Sequence, residues 1–285
     1  MISDLRELWR FRELLLTLVE RDLRIRYKGS MFGFFWSLLN PLMTVVVMTV
    51  IFKFVMRNDT PNFSAYILSA YLPYLFFQMA VLDSAQSVLV ALPIIKKVYF
   101  PREVLPLAAI CSNFIHFLLA LGVFFLFLFA VYLADPRVSP FSWNMLLLPI
   151  PLALNLALAA GLGLLVSALN TFYEDIKYVV AVGLQLLFFV TPIMYFSEQV
   201  FAASQAHSGS SWLYWLYHLN PVATLCMMYR KVLVAPQDVI VSPDRLPWLP
   251  IDWGLVGITA VVSVFTLWYG YRTFNRMKWR FVERP

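Results

Sequence analysis

The sequence predicts an all-α membrane protein with six transmembrane helices, an N-terminal amphipathic helix and a broken apolar stretch before the last span. Three observations carry this reading: composition, the length of the apolar runs, and the placement of charge. Of 285 residues, 61% are hydrophobic and 13% charged, against about 45–50% and about 25% in soluble domains. A mean hydropathy of +0.74 leaves too little polar surface for a water-soluble body, and the same composition excludes disorder. Cys111 and Cys226 fall in separate apolar segments and read as packing residues, not as a disulfide or metal site.

A helix that crosses the hydrocarbon needs about 20 mostly apolar residues. Such runs occupy roughly 33–56, 66–92, 104–133, 145–169, 178–196 and 252–271. A further stretch, 212–229, is broken by His218, Asn220 and Pro221 and reads as re-entrant or interfacial. The basic residues orient the spans. Sixteen lie before the first span, in the second and fourth loops and in the tail, against five in the alternate loops. The positive-inside rule then puts both termini in the cytoplasm. Net charge of +6 is thus a topology signal, and no nucleic-acid partner is needed to explain it.

Residues 1–28 are too polar for a secretory signal peptide. They read instead as a helix lying in the headgroup plane. Arg6, Arg10, Glu13, Thr17, Arg21, Arg24 and Lys28 trace one stripe; Leu8, Phe11, Leu15, Leu18, Val19 and Leu23 trace the other.

Catalytic signatures are missing. No G-x-x-x-x-G-K-[ST], H-E-x-x-H, C-x-x-C or G-x-S-x-G occurs, and Glu174-Asp175, the one adjacent acidic pair of interest, has no partner cluster nearby in sequence. The chain therefore reads as non-enzymatic, with no catalytic residue, metal site or cofactor of its own.

Two features inside the spans invite a functional reading. Asp83, beside Ser84, Gln86 and Ser87, faces protein or water, either lining a cavity or bonding a neighbouring helix. Asn113 and His116 in the next span read as packed between helices. Aromatic residues concentrate at Tyr71, Tyr74, Phe76 and Phe77, and again at Phe188, Phe189, Tyr195 and Phe196. Such rings serve a packed interface or an interfacial belt, and they also stack on sugar rings.

Several segments together resemble the permeases of polysaccharide-exporting ABC transporters, the ABC-2-type membrane subunits that export O-antigen or teichoic acid. These are Arg21–Ser30 (RDLRIRYKGS) with Phe32-Gly33, Trp36 and Asn40-Pro41; Ile95–Pro106 (IKKVYFPREVLP); Leu169–Ile176 (LNTFYEDI); Thr191–Tyr195 (TPIMY); and Leu219-Asn220-Pro221 with Tyr229-Arg230. The resemblance spans nearly the whole chain in order. Phe32, Tyr71 and Glu174 depart from residues frequent in that family.

The resemblance implies a half-transporter. Two copies would pair, each with one cytoplasmic ATPase subunit that holds the ATP and Mg, to move a lipid-linked polysaccharide across the cytoplasmic (inner) membrane. Residues 1–32 would form the interfacial helix and the entry to the first span, and 33–285 the six-span domain. Within that domain, 93–103 would be a coupling helix or loop and 170–177 a second cytoplasmic contact. Residues 197–250 would hold outward re-entrant helices. It assigns coupling to Lys96, Lys97, Tyr99, Phe100, Pro101, Arg102, Glu103, Glu174 and Asp175. Arg24, Arg26, Tyr27, Lys28, Ser30 and Gly33 would border the cytoplasmic entrance, and Tyr71, Tyr74, Phe77, Asp83, Phe188 and Tyr195 would line a glycan conduit. A permease for a small drug or lipid and a membrane-embedded glycan-modifying enzyme are the competing readings.

Overall fold

The computed structural model describes residues 2–27, 34–55, 60–134, 142–209, 211–236, 238–241 and 244–283. Lys28, Ser30 and Gly33 lie outside the described residues. The N-terminal segment forms two helices, α1 (Ile2–Arg10) and α2 (Arg12–Tyr27), parted at Phe11. Then come α3 (Phe34–Val50), α4 (Phe63–Ile95), α5 (Val104–Ala134), α6 (Pro149–Phe172) and α7 (Ile176–Val190). Three shorter helices follow: α8 (Ser197–Ser208), α9 (Trp212–His218) and α10 (Pro221–Leu233). A two-stranded antiparallel ribbon, β1 (Val239–Val241) with β2 (Asp244–Leu246), precedes α11 (Trp253–Met277) and a final 3-10 turn, Lys278–Glu283. The ribbon is the one departure from an all-helical reading among the described residues.

Among the described residues, four helical stretches are long and apolar enough to cross a membrane: Phe63–Ile95, Val104–Leu133, Trp143–Phe172 and Trp253–Phe281. The expected first and fifth spans correspond to shorter apolar helices, Leu39–Lys53 and Ile176–Val190. The fifteen residues of α7 rise only about 22 Å against a hydrocarbon core of about 30 Å, whereas α3 continues without a break as a π-helix, Ile51–Val55. The helix α7 stops short of the expected 196 because Pro192 disfavours helical backbone at Thr191, which is extended at φ −84°, ψ 140°. The broken stretch divides where the sequence indicates. Asn220 caps α10 by accepting from the Val222 amide, and Pro221 starts the helix without needing a donor.

The helix α4 is central, packing against α3, α5, α6, α7 and α10. Side-chain amides tie it to α6: Asn155 Nδ2 donates to the Pro73 carbonyl at 3.2 Å and Asn170 Nδ2 to the Ala85 carbonyl at 2.8 Å. The helices α6 and α11 meet backbone to backbone at Gly161 and Gly270, where an added Cβ on either would overlap the other chain segment. By contrast α7 buries only Leu184. Two ends result. One gathers α2, the α4–α5 and α6–α7 loops and the C-terminal turn; the other gathers α8–α10, the ribbon and the start of α4.

Candidate transport site and coupling face

At the first end a cavity of about 500 Å³ opens between α2, α4 and α5. The sequence builds it from a helix with two unlike faces. Leu15, Leu18, Val19 and Leu23 of α2 turn inward on α5, while Arg10, Arg12 and Arg24 stay exposed. Arg26 falls seven residues after Val19 and so returns to the inner face. Its Nη2 donates to Asp83 Oδ2 at 3.1 Å and to Asn113 Oδ1 at 2.9 Å. Asn113 Nδ2 donates to the same Asp83 oxygen at 2.8 Å. Asp83 thus does both things its position allows: it lines the cavity with Arg21, Gln86 and Ser87, and it bonds the neighbouring helix. Arg24 instead pairs with Glu20 along the outer face of α2, and Tyr27 is the last residue of that helix.

The α4–α5 loop contains turns but no helix of its own, since α4 runs on to Ile95. Its residues divide by direction. Lys96, Lys97, Val98 and Tyr99 are exposed, whereas Pro101 and Glu103 are buried. Phe100 packs into a cluster with Leu105, Phe274 and Phe281. Glu103 is fully buried and accepts from Lys278 Nζ at 3.2 Å, a pairing of loop with C-terminal turn. Arg102 stands over the Trp279 ring at 5.9 Å. On the other side, the Tyr99 hydroxyl donates to Glu7 Oε1 at 3.0 Å, and that bond holds its phenol above the ordinary value. One loop is therefore fastened to both ends of the chain. Sequence spacing alone has no means of pairing Glu103 with Lys278. In the second loop Glu174 and Asp175 are exposed, and Asn170 cinches the turn by accepting from the Lys177 amide at 3.0 Å.

Of the aromatic set, Tyr71, Tyr74 and Phe188 come together between α4 and α7, with Phe188 edge-on to both rings at 6.0 and 5.5 Å. The Tyr74 hydroxyl donates to the Leu184 carbonyl. Phe77 is buried one turn further along. Tyr195 lies at the opposite end from Asp83, its hydroxyl bonded to Tyr217 and the Val190 carbonyl.

That far end holds a network the charge count treats as loop residues. Arg230 and Lys231 are each 2% exposed and helical. Arg230 donates to the carbonyls of Tyr66, Tyr195 and Ile193 at 2.9–3.2 Å and stands over the Tyr66 ring at 4.3 Å. Lys231 pairs with buried Glu198 at 3.4 Å. Their setting in an otherwise apolar helix, PVATLCMMYRKVL, was the available signal.

A bundle of apolar helices, a cavity at one end that holds the Arg26–Asp83 pair, and an anchored basic loop beside it fit a membrane transporter subunit. The chain belongs to the ABC-2 type transporter family, which it matches over residues 13–234. It is an integral membrane protein of a transport family, and an ABC transporter implies an ATPase partner. Among its relatives is the O-antigen export system permease protein RfbA of Klebsiella pneumoniae, 30% identical over 95% of this chain and 94% of that protein. The protein of the same name from Myxococcus xanthus is 30% identical over 99% of both chains. The polysialic acid transport protein KpsM of Escherichia coli is 23% identical over 75% of this chain and 78% of its own.

Proposed function

We propose that this chain is the membrane-spanning subunit of an ATP-driven exporter that moves a lipid-linked polysaccharide of O-antigen type across the cytoplasmic membrane. The observation that carries this reading is the likeness, over nearly the full length, to two permeases named for O-antigen export. In this reading six segments span the membrane, both termini are cytoplasmic, and two copies pair, each with one ATPase subunit on which ATP and Mg bind. The α8–α10 region forms outward re-entrant helices.

The geometry supports the following mechanism. The ATPase docks on the exposed residues of the first loop, Lys96, Lys97 and Tyr99, with Glu174 and Asp175 as the second contact. Displacement of the loop has two outlets. Through Glu103 and Lys278 it reaches α11, and through Tyr99 and Glu7 it reaches α1 and α2. Moving α2 pulls on Arg26, so the ion pair with Asp83 acts as the latch of the cytoplasmic cavity. The anionic linkage of the carrier lipid meets the arginines of α2 as the latch opens.

Deleting the gene in its native host tests the reading. The expected outcome is loss of surface polymer, with the polymer detected by a glycan probe only after permeabilisation and restored by the wild-type chain. Unchanged surface polymer overturns it.

A further inference from the structure

At the end of the molecule opposite the Arg26–Asp83 latch, a second cavity of about 360 Å³ lies between α8, α9 and the start of α11. Its size falls within the roughly 300–1,000 Å³ of small-molecule sites. Aromatic side chains reach it from three separate elements: Phe201 from α8, Tyr214 and Trp215 from α9, and Trp253 from α11. Phe201 and Tyr214 stand edge-to-face at 5.5 Å. Pro250 contributes an apolar wall, and Asp252 places a carboxylate at the edge.

The site is held rigid by buried charge. Lys231 Nζ donates to the Leu249 and Pro250 carbonyls at 2.5 and 3.3 Å while it pairs with Glu198, so the wall of the cavity is pinned to α10 and α8. Asp252 is pinned too: its Oδ1 accepts the Gly254 and Leu255 amides at 3.0 and 3.3 Å, which caps α11. Its Oδ2 accepts no hydrogen bond among the described residues. A Cβ at Gly254 would crowd the capping Asp252 Oδ1 at 3.2 Å, while the Trp215 ring lies at ordinary contact distance, 3.5 Å.

An interfacial anchor has a different form. Trp143, 89% exposed, stands outward, whereas Trp215 is 41% exposed and faces a concave pocket shared with three other rings. Aromatic faces in a pocket with one oriented carboxylate suit a pyranose. The C–H face of the sugar stacks on the electron-rich ring, and its hydroxyls donate to the unused carboxylate oxygen.

We propose that this cavity is a saccharide subsite on the exit side, which takes one pyranose unit of the exported polymer between Trp215, Trp253 and Tyr214 with Asp252 as hydroxyl acceptor. The proposal rests on the polysaccharide-export reading above. A subsite at the exit gives each emerging sugar a brief foothold and biases the chain against sliding back.

The test is saturation-transfer NMR on the complete transporter, permease with its ATPase, in nanodiscs. The probes are three pyranose disaccharides: mannobiose, a rhamnose disaccharide and chitobiose. Saturation should pass to the ring C–H protons of at least one. It should vanish in the Trp215→Ala/Trp253→Ala double variant and persist in Trp143→Ala. Asp252→Asn keeps the helix cap through its amide oxygen and replaces the free carboxylate oxygen with an NH2 donor, which should weaken binding about tenfold. Helical circular dichroism and basal ATPase rate report whether each variant is folded. No saturation of any probe on the wild type, or an equal signal in the folded double variant, overturns the subsite. If gene deletion traps polymer inside while no disaccharide binds, the subsite alone falls; if deletion leaves surface polymer unchanged, the export reading falls.

Discussion

Arg26 and Asp83 are read separately from sequence, one as an entrance arginine and the other as an intramembrane acid, and the fold makes them a single group. Asn113 completes it by donating to the same carboxylate oxygen that Arg26 uses. Asp83 is 46% exposed to the cavity, so the pair contributes about 1 kcal/mol, not the several of a buried pair. Asp83→Asn should therefore leave the protein folded and lower export about fivefold while ATP turnover is retained. The measurement is exported polymer per ATP hydrolysed in membrane vesicles, and an unchanged ratio would remove Asp83 from the latch. Arg230 is the opposite case. It is buried on carbonyl acceptors and aromatic faces, so its replacement strands three acceptors. The difference between the two arginines was legible only in part. The apolar company of Arg230 signals burial, but nothing local says which carbonyls it meets.

At the scale of elements, the long helices were readable because periodic apolar runs longer than a membrane is thick have few alternatives. The ends of α7 and α10 were readable too, through Pro192 and Asn220-Pro221. The anchoring of the α4–α5 loop was not. Phe100, Pro101 and Glu103 look like an exposed docking motif in sequence, yet they fold inward, because their partners lie at the far end of the chain. Glu103 and Lys278 are 175 residues apart, and no periodicity connects them. Breaking so buried a pair costs about 3–5 kcal/mol. Lys278→Ala should accordingly lower the thermal midpoint of the purified transporter, and the Glu103→Lys/Lys278→Glu exchange should recover part of the loss. A Lys278→Ala protein as stable as wild type in a thermal scan would mean that the strut carries no load.

For the whole molecule, the asymmetry of basic residues predicts which end meets the cytoplasm, and the structure sorts the chain into two ends with distinct contents. The count of spans is less plain. Among the described residues four helices have the length to cross, while α7 reaches its far end through the non-helical Thr191–Phe196 segment held by Arg230. Cysteine labelling in intact cells addresses the orientation directly, since Cys111 and Cys226 are half-buried and buried. An impermeant maleimide should reach Trp143→Cys from outside and Lys97→Cys only after permeabilisation. Labelling of both from the same side would refute the assigned topology.

The glycine contact between α6 and α11 has a consequence for where deformation can occur. Backbones in direct contact resist both sliding and separation, so these two helices form one stiff beam through the membrane. The helix α7, with a single buried residue, has no such backbone contact: it is held at its loop by Asn170, along α4 by the Tyr74–Leu184 bond and the Phe188 ring, and at its end by Tyr195 and Tyr217 on the Val190 carbonyl. A push delivered at the anchored loop thus tilts the beam as a unit, and the compliance of the subunit is concentrated in α7. Lateral opening toward the lipid is the mode of deformation that such a division of stiffness leaves soft.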